Sequence, residues 1–101
     1  MKPVPAFGAA LKALRLSRGL SQQSFATVAT REHISRLERG QSIPNLKLVC
    51  DLAAILDVHP LSLLTLAFTS EEDGQGLDEA WRRVWLDLHS PGGSSVSTST
   101  K

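Results

Sequence analysis

Apolar residues recur three and four positions apart in six separate runs, with glycine, proline or small capping residues between most of them, and this pattern predicts a chain of short helices. The first run, Phe7, Ala10, Leu11 and Leu14, marks the buried stripe of a helix expected to begin after Pro5 and to span residues 6–17. Gly19 can close that helix in a left-handed conformation, and Ser21 can cap the next one, expected over residues 22–28. Leu20, Phe25, Ala26 and Val28 continue the same core, the small Ala26 allowing close approach where two helices cross steeply. Thr30 is the next capping residue. The third helix, residues 31–39, turns Ile34 and Leu37 inward before Gly40 stops it, leaving Arg31, Glu32, Ser35, Arg36 and Arg39 on its outward and flanking faces.

Gln41-Ser42-Ile43-Pro44 then reads as a loop. Pro44 is expected in the first turn of a fourth helix, with Asn45 close behind, Leu46, Val49, Leu52, Ala53 and Leu56 on its inner face, and Asp57 at its end. Val58-His59-Pro60 is a short join to a fifth helix over residues 60–67, carried inward by Leu63, Leu64 and Leu61. Five helices with short joins predict a compact all-α bundle.

Beyond it, Ser70 to Gly76 is polar and glycine-rich, which predicts a linker over residues 70–76. Leu77, Trp81, Val84, Trp85 and Leu88 then mark a C-terminal amphipathic helix over residues 77–89, with Asp78 and Glu79 in its first turn, where acids suit the helix dipole. That stripe needs a cover, and three are open: its own bundle, a two-fold interface with a second copy, or a different partner. Residues 90–101, mostly Ser, Thr and Gly, have almost nothing to bury and are expected to be disordered.

Composition narrows the picture. With 101 residues, 42% of them apolar and few aromatic, the chain can just supply one helical core. Its single cysteine, Cys50, cannot form an internal disulfide or a cysteine-rich zinc site, no run approaches the roughly eighteen apolar residues of a membrane span, and Met1-Lys2-Pro3 begins no secretion signal. Cytoplasm is the expected compartment, with no membrane association. The net charge of +1 hides an asymmetry: residues 1–68 hold eight Lys/Arg against four acids, a balance of +4, whereas the remainder holds three against six, a balance of −3. A cationic body with an acidic appendage suits a chain that offers one side to phosphate and another to protein.

The fragments Leu14-Arg15, Arg18-Gly19-Leu20-Ser21-Gln22, Phe25-Ala26, Ile34-Ser35-Arg36-Leu37-Glu38-Arg39-Gly40, Pro44-Asn45-Leu46 and Leu56-Asp57-Val58 together resemble the lambda-repressor and Cro-like (XRE-type) helix-turn-helix regulators of prokaryotes and phages. The resemblance covers about residues 7–67. It implies a helix-turn-helix DNA-binding domain over residues 1–69, with residues 30–36 entering the major groove. It implies phosphate contacts from Gln22 and from the start of the fourth helix near Pro44 and Asn45. It also implies a semi-buried ion pair between Arg15 and Glu38, tying the first helix to the third. Between Ala26 and Ile34 this chain is two residues shorter than the family pattern and lacks its turn glycine, so either the second helix ends early or the turn tightens.

Candidate base contacts are Thr30, Arg31, Glu32, Ser35 and Arg36. A guanidinium can donate two parallel bonds to guanine, a carboxylate can accept from cytosine, and a serine permits close backbone approach. Each also has an ordinary reading as solvated helix surface. Candidate phosphate contacts are Gln22, His33, Arg39, Asn45 and Lys47, and no second His or Cys beside His33 suggests a metal site. Dimerisation candidates are Leu77, Trp81, Val84, Trp85 and Leu88. The leading expectation is a homodimeric, sequence-specific regulator of double-stranded DNA, most simply a repressor by occupancy, whose acidic appendage could also touch RNA polymerase. The competing expectation is a helical protein-interaction module or antitoxin whose main role is a protein partner. No nucleophile, acid/base or phosphate-loop constellation points to an enzyme, and no cofactor is called for.

Overall fold

Three residues in left-handed conformation set the helix ends of this chain: Gly19 (φ 71°), Gly40 (φ 77°) and Asp57 (φ 60°). At each the backbone folds back to satisfy carbonyls that the helix leaves open, Leu20 N–H donating to Arg15 O, Gln41 N–H to Arg36 O and Val58 N–H to Ala53 O. The computed structural model describes residues 3–69 and 76–89. These form α1 (Pro3–Ser17), a 3-10 turn (Gln22–Phe25), α2 (Arg31–Glu38), α3 (Leu46–Leu56), α4 (Pro60–Phe68) and α5 (Leu77–His89), with no strand among the described residues. The described part of the protein is all-helical.

One core joins the first five elements. Leu11, Phe25, Ile34, Leu37, Leu52, Leu56 and Leu63 are fully buried, and Phe7, Ala10, Val49, Ala53 and Ala67 close the gaps between them. α1 packs against both α2 and α4, while α3 packs on α4 and on the 3-10 turn. No single helix among the described residues is long and apolar enough to cross a membrane.

Several boundaries differ from the sequence reading. α1 begins at Pro3 and not after Pro5, since a helix's first four N–H groups have no partner within it and proline forfeits nothing there. The second helix, expected over residues 22–28, shrinks to one 3-10 turn: Val28 N–H and Ala29 N–H both donate to Phe25 O, and Thr30 must be extended (ψ 156°) to cap α2. Of the two ways to accommodate the short spacing after Ala26, the chain therefore takes the early end. Ala26 itself is exposed and makes no close helix crossing. Pro44 lies outside α3 because Asn45 is the cap, its Oδ1 accepting from Leu48 N–H at 2.7 Å. Leu46, expected inside, is 75% exposed, and Leu61 also faces out. The proposed linker and tail lie outside the described residues, apart from Gly76.

The close approach that Ala26 does not provide is made by Gly8. A Cβ at Gly8 would sit 2.3 Å from the Leu37 carbonyl oxygen and 2.7 Å from that of Glu38, so α1 lies directly on the backbone at the end of α2. Those neighbours are main chain and cannot rotate away. Gly8→Ala should therefore destabilise the protein by about 1–3 kcal/mol, although alanine is the better helix former by about 1 kcal/mol. Urea unfolding checks this, and a gain in stability would show that the two helices are free to separate.

Candidate nucleic-acid interface

α2 is an eight-residue helix with its two faces divided between core and surface. Thr30 starts it, its Oγ1 accepting from His33 N–H at 3.0 Å, and Ile34 and Leu37 fix its inner face without residual exposure. Arg31, Glu32, Arg36 and Arg39 consequently project outward, with His33 and Ser35 half-buried beside them. The structure thus brings Arg31, Glu32, Ser35, Arg36 and Arg39 onto one exposed surface.

Short-range contacts hold most of these cations in place. Arg36 lies 3.8 Å from Glu32 and its Nη2 is 3.3 Å from His33 Nδ1, while Arg39 bonds Ser35 Oγ and Gln41 Oε1. Exposed pairs of this kind contribute little to stability, so an incoming phosphate or base can replace them at low cost. Arg31 has no side-chain partner among the described residues. At α3, Lys47 is bonded to Asp51 at 2.8 Å, which raises its pKa above the ordinary lysine value and keeps it charged. Thr30 and Asn45 use their oxygens as helix caps, leaving the hydroxyl proton of one and the amide N–H groups of the other to donate.

Behind α2 sits a buried charge cluster. Arg15 Nε donates to Glu38 Oε2 at 2.7 Å and Arg15 Nη2 to Glu38 Oε1 at 3.0 Å, with only 10% and 4% of the two side chains exposed. Arg15 Nη1 donates to Leu20 O at 2.9 Å, and Gln22 Nε2 donates to Glu38 Oε1 at 3.1 Å. One cluster therefore fastens α1, the turn after it, the 3-10 turn and α2 together. Gln22, a candidate phosphate contact, thus turns its Nε2 to this cluster. The bond to Glu38 raises the Arg15 pKa, against the opposing effect of burial. A raised pKa of this sign keeps its stabilisation at every pH below the ordinary arginine value and loses it only above the raised one.

The helix-turn-helix family's sequence model matches residues 11–63, just over half of the chain. The chain belongs to this family, in its XRE, lambda-repressor-like branch. No curated protein and no solved structure gave a match. As a helix-turn-helix protein of this type it is a regulator that binds double-stranded DNA. The match takes in the 3-10 turn, α2 and α3 entirely and stops short of α5.

Two residues of the bundle were not singled out from sequence as supports of its architecture. Gly8 left one signal, a glycine inside an Ala- and Leu-rich helical run, which costs about 1 kcal/mol unless packing requires it. Arg18 left none: its Nε donates to Leu56 O, 38 positions away, at 2.9 Å, placing a cation at the carbonyl end of α3. The five α5 positions singled out from sequence, Leu77, Trp81, Val84, Trp85 and Leu88, are all exposed and belong to no site within the bundle.

The charge cluster predicts strong coupling. Arg15→Met strands a buried carboxylate and should cost about 3–5 kcal/mol, whereas Arg15→Met combined with Glu38→Leu should recover most of that loss. Unfolding of both single variants and the double variant checks this, and simply additive losses would show that the pair is not coupled.

Proposed function

We propose that the protein is a homodimeric regulator that reads a two-fold operator through α2 and acts most simply as a repressor, by occupying the site. The observation that carries this reading is the outward face of α2, where Arg31 and Arg36 stand exposed on a helix braced from behind by Ile34, Leu37 and the Arg15–Glu38 pair. Arg31 and Arg36 are assigned to guanine edges, Glu32 to cytosine, and Thr30 and Ser35 to close contacts with base edges. Gln22, His33, Arg39, Asn45 and Lys47 are assigned to phosphates, which orient the domain without reading sequence.

Dimerisation follows from economy of recognition. An eight-residue helix spans only a few base pairs, and two such helices one helical turn of DNA apart supply the discrimination that one lacks. The exposed apolar stripe of α5 supports assembly through the C-terminal helix. The domain organisation proposed is a DNA-binding unit over residues 1–69, a linker over 70–76, the dimerising helix 77–89 and a tail over 90–101. Its acidic C-terminal part also suits contact with RNA polymerase. The same exposed stripe favours a second reading, in which α5 takes a different protein partner and DNA binding serves that complex.

Selection of bound duplexes from a random pool tests the proposal. A two-fold symmetric site with half-sites one turn apart is expected, and recovery of no preferred sequence would reject the specific reading. On the selected site Arg36→Ala should cost about 1–3 kcal/mol and relax selectivity at one position of each half-site. Lys47→Ala should weaken selected and random duplex alike and lower the salt slope of binding by about one per lysine removed. Equal loss on both duplexes for Arg36→Ala would remove its assignment to a base.

A further inference from the structure

The side chain placed to aim Arg36 is His33, one turn earlier on α2. Arg36 Nη2 lies 3.3 Å from His33 Nδ1, and because a guanidinium has no acceptor, Nη2 donates and Nδ1 accepts. That fixes the tautomer: the proton of the neutral ring sits on Nε2. His33 is the firmer of the two residues. Its backbone N–H donates to the capping Thr30 Oγ1 at 3.0 Å, its neighbour Ile34 is wholly buried, and it is half-buried where Arg36 is exposed.

We propose that His33 is the positioning residue for Arg36, holding the guanidinium through Nδ1 for a guanine edge while its own Nε2–H serves a phosphate. The inference rests on the reading of α2 above and divides the role of His33 in two. The other contact of Arg36, with Glu32 at 3.8 Å, is given up on the operator, where Glu32 is assigned to a cytosine. The contact with His33 has no such rival. It engages one of the five guanidinium N–H groups, so Arg36 keeps the pair of donors that guanine requires. Holding a long side chain in one geometry before binding removes part of its ordering cost, and only a site that uses that geometry gains from it. His33 therefore acts on selectivity through Nδ1 and on affinity for any duplex through Nε2.

The arrangement requires a neutral ring. A protonated imidazole carries N–H at both nitrogens, which turns Nδ1 from an acceptor into a donor facing a cation. Acidification through the range in which imidazole titrates therefore releases Arg36 and adds positive charge beside the phosphates, lowering selectivity while raising affinity for any duplex. On α2 and its C-terminal cap the charged groups are Arg31, Glu32, Arg36, Glu38 and Arg39. Of the elements packed on α2, the 3-10 turn carries no titratable side chain, and α1 carries Lys12 and Arg15, the latter occupied by Glu38. Among the described residues the His33 ring is bonded to Arg36 alone.

Two variants separate the roles, since alanine removes both ring nitrogens whereas asparagine places an oxygen where Nδ1 stands and nothing where Nε2 stands. The full chain is titrated at one salt concentration against three probes: the duplex recovered by selection, the same duplex with the Arg36-dependent base pair exchanged, and a random duplex. His33→Ala should cut discrimination at that base pair by about three- to tenfold and also weaken binding to random duplex, whereas His33→Asn should restore discrimination to within about twofold and leave random binding weak. In the unaltered protein, discrimination should fall and random binding strengthen between about pH 7.5 and about pH 5.5, and His33→Asn should show neither change. His59 and His89 are common to both proteins, so the difference belongs to His33. The pH profile of the unaltered chain stands whatever the stability of the variants. Discrimination that is independent of pH, or lost equally in His33→Ala and His33→Asn, overturns the positioning role while leaving α2 as the reader. Discrimination that survives Arg36→Ala overturns the assignment of Arg36 to a base and this inference with it.

Discussion

The buried ion pair between Arg15 and Glu38 is the constraint from which the placement of α2 follows. Stripping water from a guanidinium and a carboxylate is costly, and the cost is offset here because Glu38 accepts three bonds while Arg15 also donates to Leu20 O. Such a pair contributes less to stability than an apolar replacement could. What it supplies is register: α2 can sit against α1 in only one orientation if Glu38 is to reach both Arg15 and Gln22. Gly8 acts in the same direction from the other side, since its missing side chain lets α1 rest on the Leu37 and Glu38 carbonyls.

A helix of eight residues fixed in this way presents one defined outward face. Its inward residues, Ile34 and Leu37, are wholly buried, and its outward cations are held by weak local contacts that DNA can exchange for stronger ones. The caps bear on the proposed contacts at both helix starts. Thr30 and Asn45 spend their oxygens on the backbone of α2 and α3 and retain donors at the helix starts, which suits a surface presented to phosphate.

Much of this fold is legible in the pattern of apolar residues. The stripes through Leu11, Ile34, Leu52 and Leu63 place every buried helix, and Gly19, Gly40 and Asp57 mark where three of them end. The outward position of Arg31, Glu32, Ser35, Arg36 and Arg39 follows directly from the inward position of Ile34 and Leu37. Less legible are features that depend on distant main chain. The short spacing after Ala26 leaves two outcomes open, and the collapse of the second helix to one 3-10 turn is decided by the extended conformation Thr30 needs to cap α2. Periodicity alone also misplaces Leu46: it lies on the correct face of α3, but one turn beyond the core, where it becomes the rim of a groove. Arg18 reaching Leu56 O has no counterpart in local sequence at all.

In the proposed function α2 is the element that touches DNA and the rest of the bundle holds it. Backbone amide NMR of the full chain, titrated with a duplex carrying its selected site, tests that most directly. The largest shift changes should fall on residues 30–36 and at the start of α3 around Asn45 and Lys47, with the core of α4 little affected. Changes centred on α4 or α5, with α2 amides unmoved at saturation, would contradict it.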